Sequence, residues 1–282
     1  MIRIRGVLLD VDGTLYSRGA AIPGAAEALA YLRDQRIPFR LLTNIDSQSP
    51  AEIAAELQEA GLRVHGDEVV SPTKALASYL RNRQRNGVVR CRFLLSPGAA
   101  AELEEYAWLP GDSDRPDCVV VGDCGHCVSY QALNEAFRDL LAGAELVALQ
   151  MGRYYWREDG AYLDTGAFVR LLEYAARVEA RVLGKPSPDF VRTALDELRV
   201  PAEEVLLVGD DPATDVAGAA AAGVRSAVVK TGKMARELLG DRKDLLFPLA
   251  DDRGKGCPDG HPDFVMDSIA DLPRILSEEV SA

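Results

Sequence analysis

Short apolar runs alternate along the chain with stretches whose apolar residues recur at helical spacing. "GVLLDV" (6–11) predicts a buried strand, followed after a turn by a helix from about Pro23 to Gln35 with proline at its first position. "PFRLLTN" predicts the next strand. "SPAEIAAELQEAG" then carries a full set of helix signals: Ser49 as N-cap, Pro50 at N1, Glu52 completing a capping box and Gly61 closing the helix. "ARVLGKPSPDF" predicts a strand, a turn and a helix opened by Ser187 and Pro188, and "EEVLLVGDDPATDVAGAAAAG" a strand, a loop and a helix. "RSAVVKTG" adds a strand, and "DFVMDSIADLPRIL" a last strand and helix.

Apolar runs this short, separated by helices, imply a parallel sheet covered on both faces, with ligands at the carboxyl ends of its strands. The unusual polar residues fall at that rim: Asp10 and Asp12, Thr43 and Asn44, Lys185, and Asp210 and Asp211. Four strands are expected to end there. Roughly 140 residues separate Asn44 from Lys185, too many for one crossover. The stretch holds strand-like runs of its own, "RCRFLLS", "DCVVVGD" and "AELVALQ". We read residues 73–180 as an inserted domain, and 1–72 with 181–282 as the core. After Gly232 the pattern becomes irregular, and "DDRGKGCPDGHPD" (251–263) is expected to be a mobile loop.

Composition narrows the function. Of 282 residues, 48% are apolar and 27% charged, a globular balance, and the formal charge is −12. That charge argues against nucleic acid and against an anionic membrane surface as partners, while leaving a pocket free to bind a small anion. No apolar run of about 18 residues is present. The N-terminus has no long apolar h-region, so a cytoplasmic location is expected. Five cysteines, an odd number without framework spacing, fit a reducing compartment. Cys124 and Cys127 have CxxC spacing, and Cys257 with His261 could complete a zinc site. Those halves fall in different domains, however. A loop of the inserted domain, with Asp123 and His126 as specificity contacts, is the favoured reading.

The rim residues carry chemistry. Residues two apart on an extended chain share a face, so Asp10 and Asp12 would repel unless a cation lies between them. With Asp210 they offer the hard oxygens that Mg²⁺ prefers. Asp211 points away from its neighbour and could reach the ion through water or cap the next helix. Lys185, Thr43 and the Asn44 N–H supply donors to phosphate oxygens, and Gly13 permits a tight turn. The set suits phosphoryl transfer, with Asp10 attacking phosphorus and Asp12 serving as general acid and base. Arg153, in an aromatic stretch, is a candidate for a second substrate anion. The bland alternatives are a solvated loop for the aspartates, a surface lysine before a helix, and a local cap for Thr43.

"DVDGTL", "LLTN", "GKP" and "GDDPATD", in that order, resemble the four motifs of the haloacid dehalogenase superfamily, and the insertion resembles its type IIA cap. "SYQALNEAF", "GRYYWREDGAYLDTGAF", "GKPSPDF" and "VVKTGK" resemble more closely still, within that group, the phospholysine phosphohistidine inorganic pyrophosphate phosphatases and their relatives. The resemblance implies an α/β protein: a Rossmann-like, doubly wound parallel-sheet core with an inserted α/β type IIA cap domain. It implies a Mg²⁺-dependent phosphatase acting on small phosphorylated substrates through an aspartyl-phosphate. Asp10 matches the nucleophile and Asp12 the general acid/base, whose backbone carbonyl also meets the metal. Asp210 matches a metal ligand, Thr43, Asn44 and Lys185 the phosphate-binding positions, and Asp215 a further acidic position supporting the metal shell. The dehalogenases lack the second aspartate, so Asp12 favours phosphate over halide chemistry. A homodimer is compatible with the IIA group. A receiver-like signalling module would need neither Asp12 nor a second domain, and a non-catalytic binding protein would not need every motif residue. Phosphomutases usually carry their cap between the first two motifs, where this chain has room for one helix.

Overall fold

A computed structural model of the chain describes residues 3–84, 87–101, 103–109, 115–125, 128–157, 160–233 and 261–281. They form two compact units. The first comprises 1–43, 50–70 and 185–282, the second 44–49 and 71–184.

The first unit begins with β1 (Gly6–Leu9), a small antiparallel hairpin of β2 (Tyr16–Ser17) and β3 (Ala20–Ala21), α1 (Ala25–Asp34), β4 (Phe39–Leu42), α2 (Pro50–Glu59) and β5 (Val69–Val70). The second unit adds α3 (Pro72–Gln84), β6 (Cys91–Leu94), α4 (Pro97–Ala101), β7 (Cys118–Val121), α5 (Tyr130–Leu141) and β8 (Glu145–Ala148). It continues through β9 (Tyr154–Arg157), β10 (Gly160–Leu163), α6 (Thr165–Ala176) and β11 (Arg181–Val182). The chain returns to the first unit with α7 (Pro188–Leu198), β12 (Val205–Gly209), α8 (Ala217–Ala222), β13 (Arg225–Val229), β14 (Phe264–Met266) and α9 (Leu272–Ser281).

The core sheet has six parallel strands in the order β14-β13-β12-β1-β4-β5. Strand order reverses about β1, so the carboxyl ends of β1 and β12 flank the topological switch point, where ligands of open α/β sheets bind. Every residue of β1 and of β12 is buried, which is why both read as uninterrupted apolar runs rather than alternating ones.

The inserted unit has its own parallel sheet, β11-β8-β7-β6. Its two faces divide by strand alternation. Cys118 and Val120 pack with Cys91, Leu76 and Tyr106, whereas Val119 and Val121 pack with Leu140, Val169 and Leu172. A hairpin of β9 and β10 stacks Tyr155 on Tyr162, with centroids 5.8 Å apart. Cys91, Cys118 and Cys124 are buried free thiols.

Three expectations are corrected. α1 starts at Ala25 behind Gly24, two residues beyond Pro23. β1 ends at Leu9, so Asp10 and Asp12 lie just past the strand and not within it, and the Asp12 charge still bears on Asp10. The "ARVL" run pairs with β8 of the inserted sheet, so Lys185 is delivered by a connecting segment and not by a core strand. The second unit comprises 44–49 and 71–184, beside the 73–180 expected of the inserted domain. Residues 251–260 of the expected loop, with Cys127, His126 and Cys257, lie outside the described residues. Among the described residues no helix is long and apolar enough to cross a membrane.

Candidate active site

Asp10 follows β1 directly, and its N–H donates to the Val208 carbonyl of β12 at 2.8 Å. This register brings Asp10 beside the end of β12, where Asp210 is the next residue. Beyond it, a wide turn over Pro212–Val216 returns Asp215 to the strand end. Asp211 builds that turn: its Oδ1 accepts from Ala213 N at 2.9 Å and its carbonyl from Asp215 N at 2.8 Å. Of the two roles open to Asp211 in the sequence, capping is therefore occupied.

Asp10, Asp210 and Asp215 each place a carboxylate oxygen within 4.8 Å of the others, and all three are buried. Among the described residues they are the one group of three or more potential metal-ligating side chains that converges in this way. Lys185, 2% exposed, donates to Asp10 Oδ1 at 2.5 Å and to Asp215 Oδ1 at 2.6 Å. Thr14 Oγ1 donates to the other oxygen of Asp10 at 3.2 Å. The second oxygen of Asp215 accepts from Asp211 N at 3.0 Å. Asp10 is thus held at both oxygens, and Asp215 serves as a strut between Lys185 and the turn.

The electrostatics leave this cluster short of positive charge. Burial raises Asp10 above the usual carboxylate range against the pull of Lys185. Burial, then the charges of Asp10 and Asp215, hold Asp210 well above it. Asp215 is pushed up to about 6 by burial, with Lys185 opposing and Asp10 reinforcing the shift. Burial would lower the Lys185 ammonium, but the carboxylates of Asp10 and Asp215 outweigh it and leave it raised. Converging buried carboxylates with a single buried counter-ion fit a hard divalent cation such as Mg²⁺, whose charge would relieve the repulsion.

The other expected site residues divide. Asp12 is exposed, and its carboxylate is not one of the converging three. The contact expected of Asp12 with the metal is through its backbone carbonyl, on which the convergence of side-chain carboxylates does not bear; after it the chain turns, and Gly13 N donates to the Tyr16 carbonyl. Thr43 follows β4, is buried, and donates its N–H to the Val70 carbonyl at 3.2 Å. Asn44, the next residue, belongs to the inserted unit. There Asp123 is half-buried and accepts from Gly125 N at 3.2 Å, and Arg153 is exposed. Sequence reasoning missed Thr14 and Lys233. Lys233 Nζ donates to Asp211 Oδ2 at 2.8 Å and its N–H to Asp210 Oδ2 at 2.5 Å. The rim argument could have found it, since "VVKTGK" runs off the carboxyl end of β13 at the same edge of the sheet.

Comparison with known proteins gives an independent view. Residues 7–108 and 113–223 match two families, each described as haloacid dehalogenase-like hydrolase, and 182–272 match a related HAD-like hydrolase family. The chain is 39% identical over 236 residues to the human phospholysine phosphohistidine inorganic pyrophosphate phosphatase, covering 82% of this chain and 84% of that protein. Its fold is similar to that of a 4-nitrophenylphosphatase from Thermotoga maritima, with TM-score 0.81, 27% identity and 97% of each chain covered. A p-nitrophenyl phosphatase from Archaeoglobus fulgidus is similar at TM-score 0.82 and 26% identity, over 97% of this chain and 100% of that one.

Proposed function

Because the chain belongs to the haloacid dehalogenase-like hydrolases, we propose that it is a Mg²⁺-dependent phosphatase of small phosphorylated substrates. The substrate class spans phosphomonoesters, phosphoramidates and pyrophosphate. The observation that carries this reading is the convergence of Asp10, Asp210 and Asp215 around Lys185 at the ends of β1 and β12. The names of the relatives support phosphate as the group transferred.

Asp10 acts as nucleophile. Lys185 and Thr14 fix its two oxygens, so the attacking carboxylate is oriented before substrate arrives, which removes part of the entropic cost of the step. Attack of one Asp10 oxygen on phosphorus forms a P–O bond while the bond to the leaving group breaks. Asp12, exposed beside it, gives a proton to that leaving group. Asp12 then takes a proton from water, which attacks the aspartyl-phosphate, releases inorganic phosphate and restores Asp10. Lys185, Thr43 and Asn44 supply donors to the phosphate oxygens. Mg²⁺, held by Asp10 and Asp210 with Asp215 in support, would neutralise phosphate charge during transfer.

The test is phosphate release from 4-nitrophenyl phosphate, pyrophosphate, phospholysine and phosphohistidine, measured with Mg²⁺, with EDTA and in Asp10→Asn. Turnover that EDTA abolishes and that falls at least about 10³-fold in the variant is expected. Turnover that survives in Asp10→Asn would remove Asp10 as nucleophile. No turnover of any substrate by the wild type would overturn the phosphatase reading for this substrate class.

A further inference from the structure

The carboxyl end of β13 leads into Thr231, Gly232 and Lys233, three residues that no step of the proposed reaction uses. All three close on the acid cluster. Thr231 Oγ1 donates to the Gly13 carbonyl at 2.5 Å, which ties the turn to the segment carrying Asp10 and Asp12. Gly232 has φ +57 and Gly13 φ +85, both left-handed. A Cβ at Gly232 would lie 2.0 Å from Asp210 Oδ2 and 2.5 Å from the Gly13 Cα. A Cβ at Gly13 would lie 2.2 Å from the same carboxylate oxygen. The Asp210 carboxylate therefore sits against two glycines, in a slot that no side chain could share.

Lys233 closes the slot with two donors. Its N–H donates to Asp210 Oδ2 at 2.5 Å, so the turn engages one oxygen of Asp210 and not the other. Its ammonium pairs with Asp211 Oδ2 at 2.8 Å, while Asp211 Oδ1 caps the following turn. The lysine side chain of the pair is 57% exposed and that of Asp211 17%. An ion pair whose lysine end is open to water adds only modestly to global stability. What it does locally is latch the β13 turn to the turn after β12.

We propose that Lys233 is a positioning residue for the divalent cation. Through the latch on Asp211, the Thr231–Lys233 turn holds one oxygen of Asp210 and turns the other toward the ion. Outer partners that orient a ligating group commonly govern metal affinity by about 10- to 100-fold. The inference rests on the metal-dependent reading above.

Two effects of Lys233 oppose each other, so the sign of the result is informative. As a bare positive charge near the site, Lys233 would weaken cation binding, and its removal would tighten it. As a latch, its removal would weaken binding. The experiment titrates MgCl₂ alone into the full-length wild type, Lys233→Met and Lys233→Arg in a calorimeter, with thermal unfolding in EDTA alongside. Positioning predicts a Kd for Mg²⁺ raised about tenfold in Lys233→Met, near wild type in Lys233→Arg, and unfolding midpoints that coincide in EDTA. Gly232→Ala, which drives a Cβ into Asp210, should weaken binding at least as much. An unchanged or tighter Kd in Lys233→Met, with the wild type binding normally, overturns the latch and leaves the phosphatase reading intact. A wild type that does not bind Mg²⁺ overturns both.

Discussion

At the ends of β1 and β12, the buried carboxylates of Asp10 and Asp215 share the ammonium of Lys185, and each has a second donor. In the inserted unit the buried carboxyl of Asp46 has a hydroxyl in place of an ammonium. Thr165 Oγ1 at the start of α6 donates to it at 2.8 Å, and the charges of Asp164 and Asp123 bear on it. The two units share an architecture of buried parallel strands flanked by helices, and burial raises the acids of both, yet the partners they supply differ. The core gives Asp10 and Asp215 one fixed ammonium, which opposes the upward shift that burial imposes on them, and it leaves more carboxylate than cation for a metal to meet. In the inserted unit, burial first, with Asp164 and Asp123 adding to it against the Thr165 hydrogen bond, pushes Asp46 up to about 7. Asp46 is a structural tether in the segment that follows Thr43 and Asn44, and a protonated carboxyl suits that task. Function, in this comparison, follows the counter-charge and not the fold.

The sharpest way to break the contrast is to take the cation from the core. Lys185→Met leaves Asp10 and Asp215 buried without their shared partner. Stability in urea should fall by about 3–5 kcal/mol, and turnover of 4-nitrophenyl phosphate by about 10³-fold. An unchanged denaturation midpoint would show that the carboxylates simply take up protons at no cost.

The pH dependence of Asp46 comes next. Its folded-state value of about 7 lies above the ordinary 3.8, so the folded state binds a proton that the unfolded state releases. The stability tied to Asp46 is full below about pH 4 and lost as pH rises through 7. Asp46→Asn removes that slope. Relative to wild type, the variant should gain stability between pH 4 and 8, up to about 4 kcal/mol. Urea midpoints across that range test this, and parallel curves would return Asp46 to an ordinary carboxylate.

The smallest effect compares helix starts in the two units. Ser129 accepts from Ala132 N at 3.1 Å at the start of α5, whereas the Ser187 side chain makes no capping bond to α7. Ser129→Ala should cost about 1 kcal/mol and Ser187→Ala less than about 0.5 kcal/mol. Equal losses would mean that the capping bond is not what stabilises α5.

Legibility followed the range of the interaction. Asp10 and Asp210 were readable because each directly follows an apolar run, and burial on both faces of a parallel strand leaves no other pattern. Lys185 was readable as a cation beside "PSP", but its route was not. Two-residue β11 carries no signal of which sheet it joins, and pairing assigned it to β8. Asp46 in "NIDSQSP" reads as a loop residue, because its burial depends on Thr165, 119 positions away. Of the two lysines in "VVKTGK", Lys230 pairs with exposed Asp267 and Lys233 with Asp211. Only the left-handed turn at Gly232 distinguishes them.

The sequence by itself determined the strands, most helices and the set of reactive groups, since these depend on local periodicity and on residue chemistry that no fold alters. Tertiary structure decided which carboxylates converge, which lysine balances them, and that the carboxylate of Asp215 joins those of Asp10 and Asp210. Those outcomes depend on the strand order β12-β1-β4 and on a turn that carries Asp215 back to the strand end. Charge interaction depends on distance in space, and neighbours in space here can be 200 residues apart in the chain, as Asp10 and Asp210 are.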